Sequence, residues 1–197
     1  IKILEDTDGD NRCDKVTIFA SGLNIPTSLV ICNGGVIVAH APDFLFLKDV
    51  DGDDRADLRQ VLNTGWGVRD THAGPSNLRY GFDNRIWGTV GYSGYQRDGD
   101  GESQRFGSGV FEMNVDGSEV TFLHQFNNNT WGLGFNSMGD VFGSTANNNP
   151  SFFCGFPATG YGHSEGLTAT MIADSPDFHP ITPNVRQVDA FGRYTAG

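Results

Sequence analysis

The sequence predicts an all-β protein of the β-propeller type, and two observations lead to this fold class. Apolar segments are short and rich in β-branched and aromatic residues, and turn residues interrupt them roughly every 5 to 12 positions. The pattern also repeats, because residues 3–22 align without gaps on residues 46–65. A repeat of this length built from strand pairs is typical of propeller blades, and roughly four blades fit into the chain. A solenoid or a sandwich is a poorer explanation, because the repeat is long and tolerates insertions between its copies.

The individual strands follow from the same pattern. Residues 77–88 and residues 130–143 form a second, looser repeat, and residues 29–38 are a shorter version of it. Each copy reads as an inner strand, a turn of glycine, asparagine or aspartate, and a second strand. The apolar runs at residues 16–19, 44–47 and 110–111 are further strands. We therefore expect residues 1–197 to be a partial propeller that is truncated at both ends.

Composition excludes several classes of partner. The formal net charge is −11, with 19 Asp against 5 Glu. A basic stripe for phosphate groups is missing, which argues against nucleic acid and against an anionic membrane surface. No apolar run of about 18 residues is present, so we expect no direct membrane insertion by this segment. The excess of Asp over Glu, together with 27 Gly, indicates turns and oxygen-rich metal cages.

Two nine-residue loops, residues 6–14 and 49–57, are candidate metal sites. Both place carboxylates at loop positions 1, 3, 5 and 9, which converge on one centre together with the backbone carbonyl of position 7. Position 6 needs a left-handed backbone, which Asn11 and Asp54 tolerate. We expect two structural Ca²⁺ sites that resemble three-quarters of an EF-hand loop. The predicted ligands are Asp6, Asp8, Asp10, the carbonyl of Arg12, and Asp14 in one loop, and Asp49, Asp51, Asp53, the carbonyl of Arg55, and Asp57 in the other.

The alternative for these loops is a plain Asp-Gly-Asp turn without an ion. Thr17 and Gln60 stand where an EF-hand carries its closing glutamate, so the expected affinity is modest and suited to calcium-rich extracellular fluid. Two gap-free copies favour the metal, because clustered carboxylates repel one another unless a cation lies between them. The three cysteines have no ligand spacing, and either a Cys13–Cys32 disulfide with Cys154 left over or three buried free thiols is compatible with the sequence.

One histidine stands out by its place in the pattern. His72 comes just before an inner strand, near the face where propeller sites form, and histidine is the side chain best suited to take a proton near neutral pH. A lone histidine is more often structural, so sequence chemistry leaves both roles open. The remaining histidines have no partner pattern, and we expect structural or surface roles for His40, His124, His163 and His179.

The segment HAGPSNLRYGFDNRIWGTVGYSG at residues 72–94 resembles the corresponding segment of soluble quinoprotein sugar and sorbosone dehydrogenases. The chain resembles more closely, over nearly its whole length, the membrane-bound dehydrogenase domain of planctomycete- and verrucomicrobium-type bacteria. The motifs that carry this resemblance are DTDGD, GLNIPTS, FLKDVDGD, DTHAGPSNL, NNTWGLGFN, STANNNPS and RQVDAFGRYTA. The resemblance implies a six-bladed propeller and export to the periplasm or the exterior, with membrane anchoring through other parts of the protein.

The resemblance also implies a chemistry. His72 would be the general base in an oxidoreductase that dehydrogenates a sugar or an alcohol, with pyrroloquinoline quinone (PQQ) as hydride acceptor and a cytochrome c domain as electron acceptor. Asn129 and Trp131 would contact the cofactor, while Asn128 replaces an arginine of the quinoprotein enzymes. The alternative is a non-catalytic, calcium-stabilised propeller that binds glycans or proteins. A hydrolase or lyase ranks last, because no convergent carboxylate pair lies outside the Asp loops.

Overall fold

The computed structural model of the chain describes residues 1–99, 103–146 and 151–155, and the backbone of residues 170–171. The regular structure in this part of the chain is β-strand throughout. The strands are β1 (Lys2–Glu5), β2 (Lys15–Ile18), β3 (Ser28–Cys32), β4 (Gly35–His40), β5 (Asp43–Lys48), β6 (Leu58–Thr64), β7 (Pro75–Tyr80), β8 (Ile86–Val90), β9 (Tyr95–Asp98), β10 (Ser103–Phe106), β11 (Gly109–Met113), β12 (Thr121–Gln125), β13 (Thr130–Phe135), β14 (Val141–Thr145), β15 (Phe152–Cys154) and β16 (Thr170–Met171).

Three four-stranded antiparallel sheets form the body of the molecule. Their strand orders are β3-β4-β5-β6, β7-β8-β11-β12 and β13-β14-β15-β16, and the hairpin β9-β10 is inserted into the second. The first strands of successive sheets, β3, β7 and β13, lie next to one another. Each sheet is therefore a blade with its first strand innermost, and the chain is a partial β-propeller, as the sequence predicts. The three looser repeats are the inner hairpins of the three blades.

The hairpin β1-β2 is the outer half of a further blade. Leu4 pairs with Val16 in this hairpin, as Leu47 pairs with Arg59 in β5-β6, and the remaining pairs correspond at the same offset of 43. Since β5 and β6 are the third and fourth strands of their blade, β1 and β2 hold those places in the preceding one. The expectation of about four blades thus becomes three blades and one half-blade in the described residues.

The blades are held together by apolar faces that pack on one another. Trp66 lies at the centre of the largest cluster, where its ring stacks on Phe44 with centroids 4.5 Å apart and also contacts Phe111. Its indole N–H donates to Asn63 Oδ1 at 2.7 Å, so the one polar atom of the ring is paired. The half-blade packs on the first blade in the same manner, through Ile3 and neighbouring residues. Burial of these faces is the main stabilising contribution.

The antiparallel order sorts the connections onto two faces of the propeller. Residues 19–27, 41–42, 65–74, 91–94 and 126–129 lie on what we name the upper face, and residues 6–14, 49–57, 81–85, 114–120 and 136–140 on the lower face. His72 is therefore at the upper ends of the strands and both Asp loops are at the lower ends. A five-residue strand spans roughly 17 Å, which separates these two groups.

The cysteines are free thiols, so no Cys13–Cys32 disulfide forms. Cys13 is exposed in the first Asp loop, whereas Cys32 and Cys154 are buried. Burial raises the pKa of the Cys154 thiol to about 12. Within the residues described, no helix is long and apolar enough to cross a bilayer.

Candidate functional site

His72 lies at the surface of the upper face, in the connection that leads into β7. Its side chain is 82% exposed, and its Nδ1 lies 3.7 Å from Asp70 Oδ1. The same carboxylate oxygen accepts the backbone N–H of His72 at 2.9 Å, which fixes the turn. The next residue, Ala73, is buried, and its carbonyl accepts the backbone N–H of Gly91 at 3.0 Å. His72 is thus an accessible imidazole on a braced turn, with a carboxylate beside its ring.

A polar network joins this turn to the third blade. The hydroxyl of Tyr92 donates to Asn128 Oδ1 at 2.7 Å, and the backbone N–H of Tyr92 donates to Asn129 Oδ1 at 2.8 Å. Asn128 is buried, and its Oδ1 also accepts the backbone N–H of Asn129. Both asparagines therefore hold loops together. Tyr92 directly follows Gly91, whose backbone N–H donates to the Ala73 carbonyl, so the network reaches the turn that carries His72. The ring of Tyr92 remains 56% exposed.

Trp131 presents a second exposed aromatic ring near the upper end of β13. The register of β13 shifts between Thr130 and Gly132, so Trp131 lies in a bulge, and it is 47% exposed. Asn77 Nδ2 donates to the Trp131 carbonyl, and Asn77 itself has a left-handed backbone with φ of 54°. Bulges commonly re-aim side chains beside functional sites. The hydrogen bond from Asn77 thereby joins the inner strands β7 and β13 at the position of the exposed Trp131 ring.

The structure brings together most of the upper-face residues that the sequence singles out, and it adds others. His72, Asn129 and Trp131 belong to one connected region, but Asn129 is engaged by a backbone N–H rather than free for a ligand. Tyr92 and Asp70 were missed by sequence reasoning. No ligand or catalytic spacing in the sequence singles out either residue. The available signal is that Asp70 lies in the segment DTHAG and Tyr92 in the segment GYSG, both of which read as connections between strands.

This region fits PQQ poorly. The cofactor is a tricarboxylate, and anionic groups are bound best by cations such as arginine. Asn128 offers no charge at the position of the quinoprotein arginine, and its Oδ1 is committed to Tyr92 and Asn129. The predicted calcium loops lie on the lower face, so neither loop can supply a metal ion beside an upper-face cofactor.

The two Asp loops have nearly identical geometry. Asp6 accepts the backbone N–H of Gly9 at 2.7 Å and of Asn11 at 2.8 Å, and Asp49 accepts the corresponding N–H groups at the same distances. Asn11 and Asp54 both have φ of 66°, which confirms the left-handed backbone expected at position 6. The N–H groups of Gly9 and Gly52 are the largest cause that holds the pKa values of Asp6 and Asp49 below the ordinary value.

Three of the four predicted carboxylates converge in each loop. Ligand oxygens of Asp6, Asp8 and Asp14, and likewise of Asp49, Asp51 and Asp57, lie within 4.8 Å of one another. Asp10 and Asp53 are outside these groups. Asp10 Oδ1 accepts the N–H of Arg12 at 2.8 Å, and Asp53 Oδ1 accepts that of Arg55 at 2.9 Å. Each loop can thus offer a three-carboxylate cage of the hard oxygen type that Ca²⁺ prefers.

The other predicted histidines divide between structural roles and positions outside the described residues. His40 Nδ1 accepts the backbone N–H of Asn24 at 2.7 Å, which is a structural bond. His124 is buried between blades, and this burial lowers its pKa. His163 and His179 lie outside the described residues, as does the segment RQVDAFGRYTA at residues 186–196.

Comparison with known proteins identifies a family that covers the full length of the chain. A family model described as "Domain of unknown function (DUF7133)" matches residues 1–197. No curated protein matches the chain. Among solved structures, a protein assigned as a gluconolactonase is similar to 70% of this chain at 16% identity, with a TM-score of 0.43. The chain spans 44% of the length of that structure.

Proposed function

The chain belongs to the family described as domain of unknown function DUF7133, and we propose that it is a calcium-stabilised propeller that binds a polyhydroxylated ligand, such as a sugar, on its upper face. The pair of exposed aromatic rings, Tyr92 and Trp131, carries this proposal. Aromatic faces pack on the apolar faces of sugar rings, while nearby polar groups pair with hydroxyls. His72 and Asp70 supply such groups beside Tyr92.

Pre-organisation supports the same proposal. Tyr92 is held at its hydroxyl and at its backbone, and the backbone at Trp131 is held by Asn77. Side chains that are fixed before binding lose little conformational entropy when a ligand arrives. A neutral ligand also suits a chain with a net charge of −11, because the binding of an anion would oppose that charge.

Replacement of Trp131 by Ala is expected to weaken sugar binding by roughly 10- to 100-fold, since the variant loses both the ring contact and the apolar surface that the ligand would bury. Binding is measured by isothermal titration with a panel of mono- and oligosaccharides in calcium buffer. Met138→Ala is the control, because Met138 is also an exposed apolar residue but lies on the lower face. Sugar binding that Trp131→Ala leaves unchanged, or the absence of binding across the panel, contradicts the proposal.

The second candidate is a dehydrogenase of sugars or alcohols, and the pairing of Asp70 with His72 favours it. A carboxylate 3.7 Å from Nδ1 can orient the ring, so that Nε2 points toward solvent and can accept a proton from a substrate hydroxyl. The poor fit to PQQ leaves the hydride acceptor to experiment. A cytochrome c domain as electron acceptor belongs to this candidate, and so does a position in the periplasm or outside the cell.

We expect His72→Ala to lower any dehydrogenase turnover at least 100-fold, the lower limit for a lost general base. Dye-linked reduction is assayed with aldoses and alcohols, in calcium, with and without added PQQ. His40→Ala is the control histidine, because its Nδ1 already accepts a backbone N–H group and the residue is half-buried. If turnover survives in His72→Ala, His72 is not the general base. If no donor is turned over, the dehydrogenase candidate is rejected and the sugar-binding function remains.

A further inference from the structure

We propose that an exposed aromatic cluster on the lower face is a docking site for a positively charged protein partner, which buries an apolar side chain there. We name this cluster the lower-face patch, and its members are Phe82, Trp87, Phe135 and Met138. The four side chains belong to the inner hairpins of the second and third blades. This inference is independent of the ligand proposed for the upper face.

The lower-face patch is apolar and open to solvent. Met138 and Phe82 are 84% and 74% exposed. The ring of Phe82 packs edge-on against Phe135 with centroids 5.8 Å apart, and Phe135 packs in the same way on Trp87 at 5.4 Å. A methyl group added to Gly139 would lie 3.9 Å from Phe82 Cδ2, so the turns of the two hairpins lie side by side. Exposed apolar side chains that cluster in this way are typical of interaction sites.

Hydrogen bonds fix the two turns that carry the most exposed members of the patch. Across the turn of Phe82, the backbone N–H of Gly81 donates to the Arg85 carbonyl at 2.8 Å. In the other turn, the backbone N–H of Met138 donates to Asn136 Oδ1 at 2.9 Å. Each turn joins two strands that are paired with each other, so the patch is a feature of complete hairpins. A surface whose backbone is fixed before binding loses little conformational entropy when a partner arrives.

Carboxylates lie on both turns of the patch and on the connection beside them. Residues 81–85, 114–120 and 136–140 carry five charged side chains, which are Asp83, Arg85, Asp116, Glu119 and Asp140. Their formal charges sum to −3, and the guanidinium of Arg85 is already paired with Glu112 and Glu119. On the flanking strands, the charges of Arg79 and Glu112 offset one another. The surroundings of the patch are therefore negative.

The charge of the whole lower face identifies the kind of partner. The lower-face connections together carry a formal charge of −10, whereas those of the upper face sum to zero. Two bound Ca²⁺ ions would still leave −6 on the lower face. Such a face repels a second copy of itself and an anionic bilayer, and it attracts a protein surface rich in lysine and arginine. The apolar patch then supplies the central contact of the interface.

The test uses the full chain with ¹³C-labelled methionine methyl groups, in calcium buffer, and the peptide acetyl-KKKLFKKK-amide as the probe. By NMR we expect the peptide to shift the methyl resonance of Met138 and to leave that of Met113, which is buried in the core, unchanged. Phe82→Ser should weaken peptide binding at least tenfold, because the most exposed ring of the patch is lost. Val68→Ser, at an exposed apolar side chain on the upper face, is the matched control and should leave the affinity unchanged.

The contribution of charge is tested with salt and with two matched peptides. Raising NaCl from about 50 mM to about 500 mM should weaken binding at least tenfold, and so should replacing the probe by acetyl-EEELFEEE-amide or acetyl-KKKSSKKK-amide. The proposal is wrong if either matched peptide binds as tightly as the probe, if Phe82→Ser leaves the affinity unchanged, or if millimolar probe does not shift Met138. A Met138 shift that appears without peptide as the chain dimerises, measured by light scattering, also overturns it, because a second copy then occupies the patch.

Discussion

Removal of calcium is expected to lower the free energy of unfolding by about 5 kcal/mol, as the sum of two equivalent sites. A site held at a free Ca²⁺ concentration of 100 times its Kd stabilises the folded state by about 2.7 kcal/mol. For a chain of this size each kcal/mol changes Tm by about 2–4 °C, so Tm should fall by roughly 10–20 °C. The measurement is thermal unfolding in excess chelator and in about 10 mM calcium, which is about 100 times a Kd of about 0.1 mM, at the tighter end of the range for extracellular sites.

Single substitutions divide this effect between the loops. Asp6→Asn and Asp49→Asn each keep an oxygen that can accept the glycine N–H but remove one charge from the three-carboxylate group. Each variant should lose about half of the calcium-dependent rise in Tm, and the double variant should lose nearly all of it. Asp98→Asn, outside both loops, is the control. Equal Tm values with calcium and with chelator would show that the loops are Asp-Gly-Asp turns without an ion.

The fold was largely predictable from the sequence because its signals are local. The turn residues at Asn33, Asn84 and Gly117 adopt the left-handed backbone that their types favour, and each one separates two strands. The gap-free repeat was equally informative, since an identical pattern produced an identical register in β1-β2 and β5-β6. This agreement between the sequence pattern and the strand register of each copy makes a repeat architecture predictable from sequence.

The candidate site was less predictable because its contacts are long-range. Tyr92 meets Asn128 and Asn129 across two blades, at sequence separations of 36 and 37 residues. No spacing rule connects such positions in a single sequence. The distribution of His72 and the Asp loops over opposite faces was also hidden, because it depends on the direction of each strand within its blade. Only topology shows that these loops cannot serve a cofactor beside His72.

The exclusion of Asp10 and Asp53 from the carboxylate groups has a similar cause. Position counting predicts convergence for all four carboxylates of a loop. However, Asp10 and Asp53 accept the backbone N–H group two residues further on at 2.8 and 2.9 Å, which is a local bond that competes with a metal ligand. Asp8 and Asp51 accept the equivalent N–H groups at a longer 3.2 Å and remain within the carboxylate groups. A bound cation could draw these carboxylates inward as ligands. The variants Asp10→Ala and Asp53→Ala separate the role of metal ligand from the role of N–H acceptor in the same thermal assay, because only the loss of a ligand changes the calcium-dependent part of Tm.

Arg85→Met is expected to destabilise the second blade by about 2 kcal/mol at pH 8, below the range of about 3–5 kcal/mol for a fully buried ion pair, because this pair is partly buried. Arg85 Nε lies 3.2 Å from Glu112 Oε1, with side chains only 21% and 17% exposed. The guanidinium also donates to Asn114 Oδ1 at 2.7 Å and to the Glu119 carbonyl at 2.8 Å. One side chain thus ties the β7-β8 turn to the β11-β12 connection on the lower face.

The loss should depend on pH in a direction set by Glu112. Burial raises the pKa of Glu112, and Arg85 partly opposes this rise. Without Arg85 the folded pKa rises further above the unfolded value, so stability is retained below the unfolded pKa and is lost as pH rises through the folded pKa. Urea unfolding of Arg85→Met should therefore show a larger deficit at pH 8 than at pH 5.

A second substitution separates charge from packing. In Arg85→Met with Glu112→Gln the uncompensated carboxylate is gone, so the difference between pH 5 and pH 8 should disappear and part of the stability should return. Arg79→Met, at an exposed arginine on the neighbouring strand β7, should change stability by less than about 0.5 kcal/mol. If the single and double variants unfold alike at both pH values, Arg85 acts through its hydrogen bonds to Asn114 and Glu119 rather than through Glu112.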